Sequence, residues 1–184
     1  MKKIFPTLFF LFITFISNGQ ITKNNWLLSG NANFSTQKNS SMASLQYKQT
    51  DFQISPMIGY FFIDKFAVGF RPSFTYGKNN LVANAKPQTI FSVGPFARYY
   101  FLQIDKPFNL FAEGAYAYAS LTQGSESKQH AFSISAGPVL YFNTAVGLEF
   151  IIGYTTTKIV DFDGSNNAIK FGIGFQFHLE KEKT

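Results

Sequence analysis

The chain of 184 residues has no cysteine. That absence excludes a disulfide framework, a thiol nucleophile, cysteine metal ligands and a lipidated N-terminal cysteine. Long apolar runs are missing too. Hydrophobic residues make up 46% of the chain, yet no run reaches the roughly 18–20 residues that a spanning helix needs. Clustered charge is the third absence. The formal net charge is +6, but the basic residues are scattered through turns, loops and one strand phase. Nucleic-acid binding calls for a concentrated basic patch, so no nucleic-acid partner is expected. The composition does not shift along the chain, which speaks for one domain.

What is present begins at the N-terminus. Lys2 and Lys3 precede the apolar run Ile4 to Ile16, and Ser17-Asn18-Gly19-Gln20 supply small residues after it. A charged segment, a short apolar segment and a small-residue site make a cleavable signal peptide. Residues 1–19 are assigned to it, with cleavage after Gly19, and residues 20–184 form the mature, exported domain.

From Trp26 onward the pattern has a period of two, which is the signature of strands that show opposite faces to different surroundings. Phe66, Val68, Phe70, Pro72, Phe74 and Tyr76 share one phase, against Ala67, Gly69, Arg71, Ser73 and Thr75. Eight such segments are predicted, at about 26–34, 52–62, 66–76, 90–101, 108–121, 130–142, 145–156 and 168–179. The connections alternate long and short, the layout of an up-and-down outer-membrane barrel. Pro56, Pro72, Pro95 and Pro138 fall in mid-strand, where a residue without an N–H calls for a bulge.

Charge decides which face is wet. Five charged residues lie in mid-strand: Arg71, Arg98, Lys170, Glu113 and Glu149. All five fall in the polar phase, and the apolar phase carries none. A soluble lipocalin-like barrel, the alternative, would need a far more charged exterior. Lipid outside and a narrow, filled lumen fit better, with the five residues expected to form a paired network because isolated buried ions are costly. Ten residues at about 3.3 Å, tilted by about 40°, give a height of about 25 Å, the usual apolar band.

The fold class is therefore all-β: an eight-stranded antiparallel up-and-down transmembrane β-barrel, preceded by a cleavable signal peptide. On these residues the chain resembles the small outer-membrane β-barrel family of the OmpA/OmpX type, over residues 26 to 179. The last strand sharpens the likeness. Lys170-x-Gly172-x-x-Phe175-x-Phe177 is similar to the C-terminal assembly signal of such barrels, although this chain continues with His178 to Thr184. The resemblance implies integral residence in the outer membrane with both termini periplasmic. Its implied partners are outer-membrane lipids, lipopolysaccharide among them, and the barrel assembly machinery.

No catalytic, cofactor or metal residue is assigned. The expected role is non-enzymatic: structural, or interacting through the loops, without an open pore. The alternative reading is a lipid-modifying enzyme at the outer rim, built on His130 with Glu126, Ser127 and Ser133. Asp161-Phe162-Asp163-Gly164 resembles a fragment of a calcium loop but lacks the remaining oxygen ligands, and is read as a turn.

Overall fold

A computed structural model describes residues 21–40, 46–79, 86–160 and 164–179. The expected signal peptide lies outside the described residues, as does 161–163 of the turn around Gly164. Ten β-elements follow in order: β1 (Trp26–Ser40), β2 (Gln46–Ile63), β3 (Phe66–Phe70), β4 (Ser73–Asn79), β5 (Gln88–Val93), β6 (Pro95–Tyr100), β7 (Phe108–Thr122), β8 (Glu126–Tyr141), β9 (Val146–Ile159) and β10 (Asn166–Leu179). β3 and β4 are two halves of one stave, as are β5 and β6, so the barrel has eight staves. Every neighbouring pair is antiparallel, and β1 closes the sheet by pairing with both β2 and β10. This is the up-and-down barrel architecture expected of the outer-membrane type.

The prolines sit where the ladder is interrupted. Arg71-Pro72 separates β3 from β4, and Gly94-Pro95 stands at the break between β5 and β6. The two breaks face each other, joined by the Arg71 N–H donating to the Gly94 carbonyl at 2.9 Å. Pro56 lies where β2 changes partner from β3 to β4. Pro138 lies in the gap of the β8–β9 ladder between Ala136 and Val139. A residue with no N–H is accommodated where a pairing is already lost.

Several staves run further than the apolar alternation. Ser35–Ser40 and Gln46–Asp51, expected as a polar loop, pair register by register as a hairpin extension of β1 and β2. Backbone pairing does not need an apolar face once the strand leaves the apolar belt, so the pattern that revealed the strands understates their length.

The alternation sorts the faces as expected. Phe70, Phe91, Phe132, Ile134, Phe171 and Ile173 are among the large apolar side chains exposed on the outer wall. Inside, Leu27, Met57, Phe61, Phe96, Tyr100, Phe111 and Val139 are buried together. Ile21, fully buried, reaches in from the segment before β1 at the short-turn end. Its carbonyl accepts from the Lys65 N–H at 2.8 Å, and the Phe61 carbonyl accepts from the Asn24 N–H at 2.8 Å.

Candidate functional site: the lumen network

Register builds the site. Arg98 on β6 lies directly opposite Glu113 on β7, and both point inward. Glu149 on β9 lies opposite Gly174 on β10. A methyl group at Gly174 would stand 2.9 Å from Glu149 Oε1. The missing side chain is what lets the carboxylate lie across the lumen. Arg71 comes in at the break between β3 and β4, where the irregular backbone re-aims a side chain.

Three ion pairs result. Arg98 donates from Nε to Glu113 Oε2 at 2.8 Å and from Nη1 to Glu149 Oε2 at 2.6 Å. Arg71 pairs with the other Glu113 oxygen. Ser29 Oγ donates to Glu149 Oε1 at 2.9 Å, so both oxygens of both carboxylates are engaged. Two guanidiniums balance two carboxylates. Arg98 is only 1% exposed, Glu113 5% and Glu149 2%. Charges this deeply buried survive only with such pairing.

A neutral layer supports the charged one. Tyr100 Oη donates to Gln176 Oε1 at 2.9 Å, and Gln176 Nε2 donates to Tyr141 Oη at 3.0 Å. The Arg98 guanidinium stacks over Phe111 at 4.2 Å, a cation–π contact shielded from water. Towards the short turns, Phe61 packs on Tyr100 with ring centroids 5.9 Å apart and on His178 at 5.6 Å. Alternation alone places Tyr100, Gln176, Ser29 and Tyr141 in the inward phase, but only the cross-strand register shows which of them meet.

Of the five charges expected to pair, four come together. Lys170 does not: it belongs to the inward phase of β10, opposite Gly153, but it is exposed and takes part in no ion pair among the described residues. The physical reason is height. Glu149 sits beside Gly174, four residues nearer the short-turn end than Lys170. The other expected motif residues also lie on β10, with Gly172 exposed in the inward phase and Phe175 and Phe177 exposed on the outer wall.

The rim cluster does not assemble a hydrolytic triad. His130 Nδ1 lies 2.5 Å from Tyr116 Oη, and its ring is 5.3 Å from that of Tyr118. Ser127 and Ser133 alternate to the other face of β8, and Glu126 accepts from Ser120 Oγ at 3.0 Å. Among the described residues, no group of three His, Asp or Glu side chains is placed to hold a metal. A furrow of about 590 Å³ marks the wall where Ala97, Ala112, Gly114 and Ala136 sit among Tyr99 and Ile134. These six belong to the outward phase, so the furrow is mainly a feature of the exterior.

Against known proteins, no family model matches the sequence, and no curated protein does. Among solved structures, the chain is similar to Neisserial surface protein A, at 19% identity and a TM-score of 0.49, covering 85% of this chain and 97% of that one. It is also similar to the N-terminal β-barrel domain of Pseudomonas aeruginosa OprF, at 15% identity and a TM-score of 0.44, covering 85% and 98%. A third is a loop-deletion mutant of OmpT, an outer membrane protein of Vibrio cholerae. There the identity is 14% and the TM-score 0.39, with 84% of this chain and 49% of that one covered.

Proposed function

We propose that the mature chain is an integral outer-membrane protein without enzymatic activity, acting structurally or through its long loops. Its lumen is filled at the network and is not an open pore. The observation that carries this reading is the sorting of charge. The mid-strand ions Arg71, Arg98, Glu113 and Glu149 are turned inward and paired, while Phe, Ile and Tyr side chains cover the outer wall. Water is a poor solvent for such a wall, and a bilayer is a good one. Pairing of β1 with β10 from Trp26 to Gly30 also closes the sheet near the short turns, so that over this part no free strand edge meets lipid.

In this reading the short turns and both termini face the periplasm, and residues 1–19 direct export. Lys170, Gly172, Phe175 and Phe177 serve recognition by the barrel assembly machinery, and the outer wall contacts membrane lipid, lipopolysaccharide included. The test has two parts. The protein should be recovered in the outer-membrane fraction, resist a carbonate wash and migrate differently on a gel before and after boiling. Reconstituted in a planar bilayer, it should show no large, stable conductance. Release by carbonate would overturn the membrane reading, and a steady large current would overturn the filled lumen.

A further inference from the structure

The wall of the barrel is not uniform at its seam. β1 and β10 pair only from Trp26↔Leu179 to Gly30↔Phe175. Both strands continue well beyond that point, β1 to Ser40 and β10 back to Asn166, each still paired with its other neighbour, β2 and β9 respectively. Had the ladder run on, Ala32 would face Ile173 and Phe34 would face Phe171. Instead the two strands part, and the side chains on either side are among the most exposed apolar groups of the molecule, Phe171 at 79% and Phe34 at 71%.

The inside of the parted region is polar. Asn31, Gly172 and Lys170 belong to the inward phase, yet all three are exposed. Immediately towards the short turns the lumen is shut by Glu149, which Ser29 and Arg98 hold against Gly174. The fork lies about four residues above Trp26. At about 3.3 Å per residue and a tilt of about 40°, that is about 10 Å up a band of about 25 Å. The gap therefore opens towards the half of the membrane nearer the long loops.

An unpaired strand edge facing hydrocarbon leaves N–H and C=O groups without partners, at a cost of several kcal/mol each. Something polar has to meet these edges, and something apolar has to cover Phe34 and Phe171. One kind of molecule does both: an amphiphile with an anionic head and a long acyl tail. We infer that the parted seam between β1 and β10 is a lateral binding site for an anionic acyl lipid. The head enters the gap beside Lys170 and the strand edges, and the tail lies along Phe34, Phe171 and Ile173 in the membrane. The network at Arg98 closes the floor, so the site binds and does not conduct. The inference rests on the outer-membrane reading above.

The absence of cysteine makes the geometry directly testable. Leu28→Cys with Phe177→Cys joins a pair within the zipped part of the seam. Ala32→Cys with Ile173→Cys lies four residues further on, on the same face and at the same kind of ladder position. In reconstituted protein, the shortest bis-maleimide linker that joins each pair measures the two gaps. A longer minimum for the upper pair is expected, with only the lower pair also closing as a disulfide on oxidation. Equal minima would overturn the proposal.

Ligand chemistry is tested with cis-parinaric acid, a fluorescent fatty acid, and with its methyl ester. Energy transfer from Trp26, the single tryptophan, reports arrival at the seam. Saturable binding of the acid is expected, weakened about five-fold by Lys170→Gln, as befits the loss of one cation–anion attraction near a membrane surface. The ester should bind more weakly and be indifferent to that change. Equal binding of acid and ester, or no effect of Lys170→Gln on the acid, would overturn the proposal. Each variant is checked for outer-membrane recovery and heat-modifiable migration. A failed seam in a protein that passes both leaves the function proposed above intact, whereas failure of both assays by the unaltered protein removes that reading itself.

Discussion

On β10, the inward positions Gly174, Gln176 and His178 are buried, whereas the next two inward positions towards the long loops, Gly172 and Lys170, are exposed. β1 repeats the contrast, with Leu27 buried and Asn31 exposed. The chain uses the same alternation throughout, so the difference is not one of pattern. It comes from what stands opposite. Near the short turns, rings from several staves and Ile21 meet across the lumen, and the Arg98 network completes the layer. Near the long loops no such set of large inward side chains converges among the described residues. Stability should therefore be concentrated in the short-turn half, leaving the loop half at the lower end of the local stability range.

The sharpest way to break that contrast is to remove Arg98. Glu113 and Glu149 would then share a buried space without their common partner, and breaking a buried pair by removing one member costs about 3–5 kcal/mol. Arg98→Ala should lower the urea midpoint by a corresponding amount, followed by Trp26 fluorescence in phospholipid vesicles. Arg71→Ala should cost far less. The Arg71 side chain is 30% exposed and Glu113 keeps Arg98. Equal losses from the two substitutions would show that the charges act as one shared cluster and that Arg98 is not its centre.

Backbone approach should produce the next largest effect. A methyl group on Gly94 would lie 1.8 Å from the Tyr116 carbonyl oxygen, so Gly94→Ala has to push two staves apart. Overpacking of this kind costs about 1–3 kcal/mol. Gly114→Ala is the matched control, since nothing lies within 4 Å of its added methyl group. It should stay within about 0.5 kcal/mol of the parent. The comparison separates glycine needed for room from glycine that merely occupies a strand.

Tyr100→Phe probes the neutral layer of the network. It removes the hydroxyl that donates to Gln176, while the ring contacts with Phe61 and Phe111 remain. The expected loss is about 1 kcal/mol, the usual net value of one such hydrogen bond. A loss nearer that of Arg98→Ala would mean that the hydroxyl is coupled to the ions, directly through the Arg98 Nη1 that donates to it at 3.4 Å and through Gln176, which a Tyr100→Phe/Arg98→Ala double-mutant cycle would measure.

These contrasts also mark what the sequence could tell. The eight-stave architecture and the inward direction of Arg71, Arg98, Glu113 and Glu149 were legible because one charge in the wrong phase would have betrayed the pattern. Pairing among those four was legible only as a requirement, since partner choice depends on register. Arg98 meets Glu113 because they are directly opposite, and it meets Glu149 because Gly174 leaves room. Phase alone puts Lys170 in the network, and phase says nothing about height. The pairing of Ser35–Ser40 with Gln46–Asp51 lies beyond what alternation can reveal, because an alternation rule sees strands only where one face is apolar. The parted seam has no signature in the alternation at all, which continues unbroken through Ala32 and Phe34 on one side and Phe171 and Ile173 on the other.

The smallest expected effect is the most discriminating. Lys170 is exposed and outside every ion pair among the described residues. Lys170→Gln should therefore leave the unfolding free energy within about 0.5 kcal/mol of the parent. If the cation were a hidden member of the stabilising network, the loss would approach that of Arg71→Ala. A lysine kept in a strand but doing nothing for stability has to be explained by what it meets from outside the fold. The same variant is the one expected to weaken binding of an anionic acyl chain, so stability and binding should part at this residue and at none of the buried ones. Arg98→Ala, in contrast, should lose stability first and disturb the seam through Glu149 and Ser29, which hold its floor, and through Gln176 of β10, which accepts from Arg98 Nη1 at 3.2 Å.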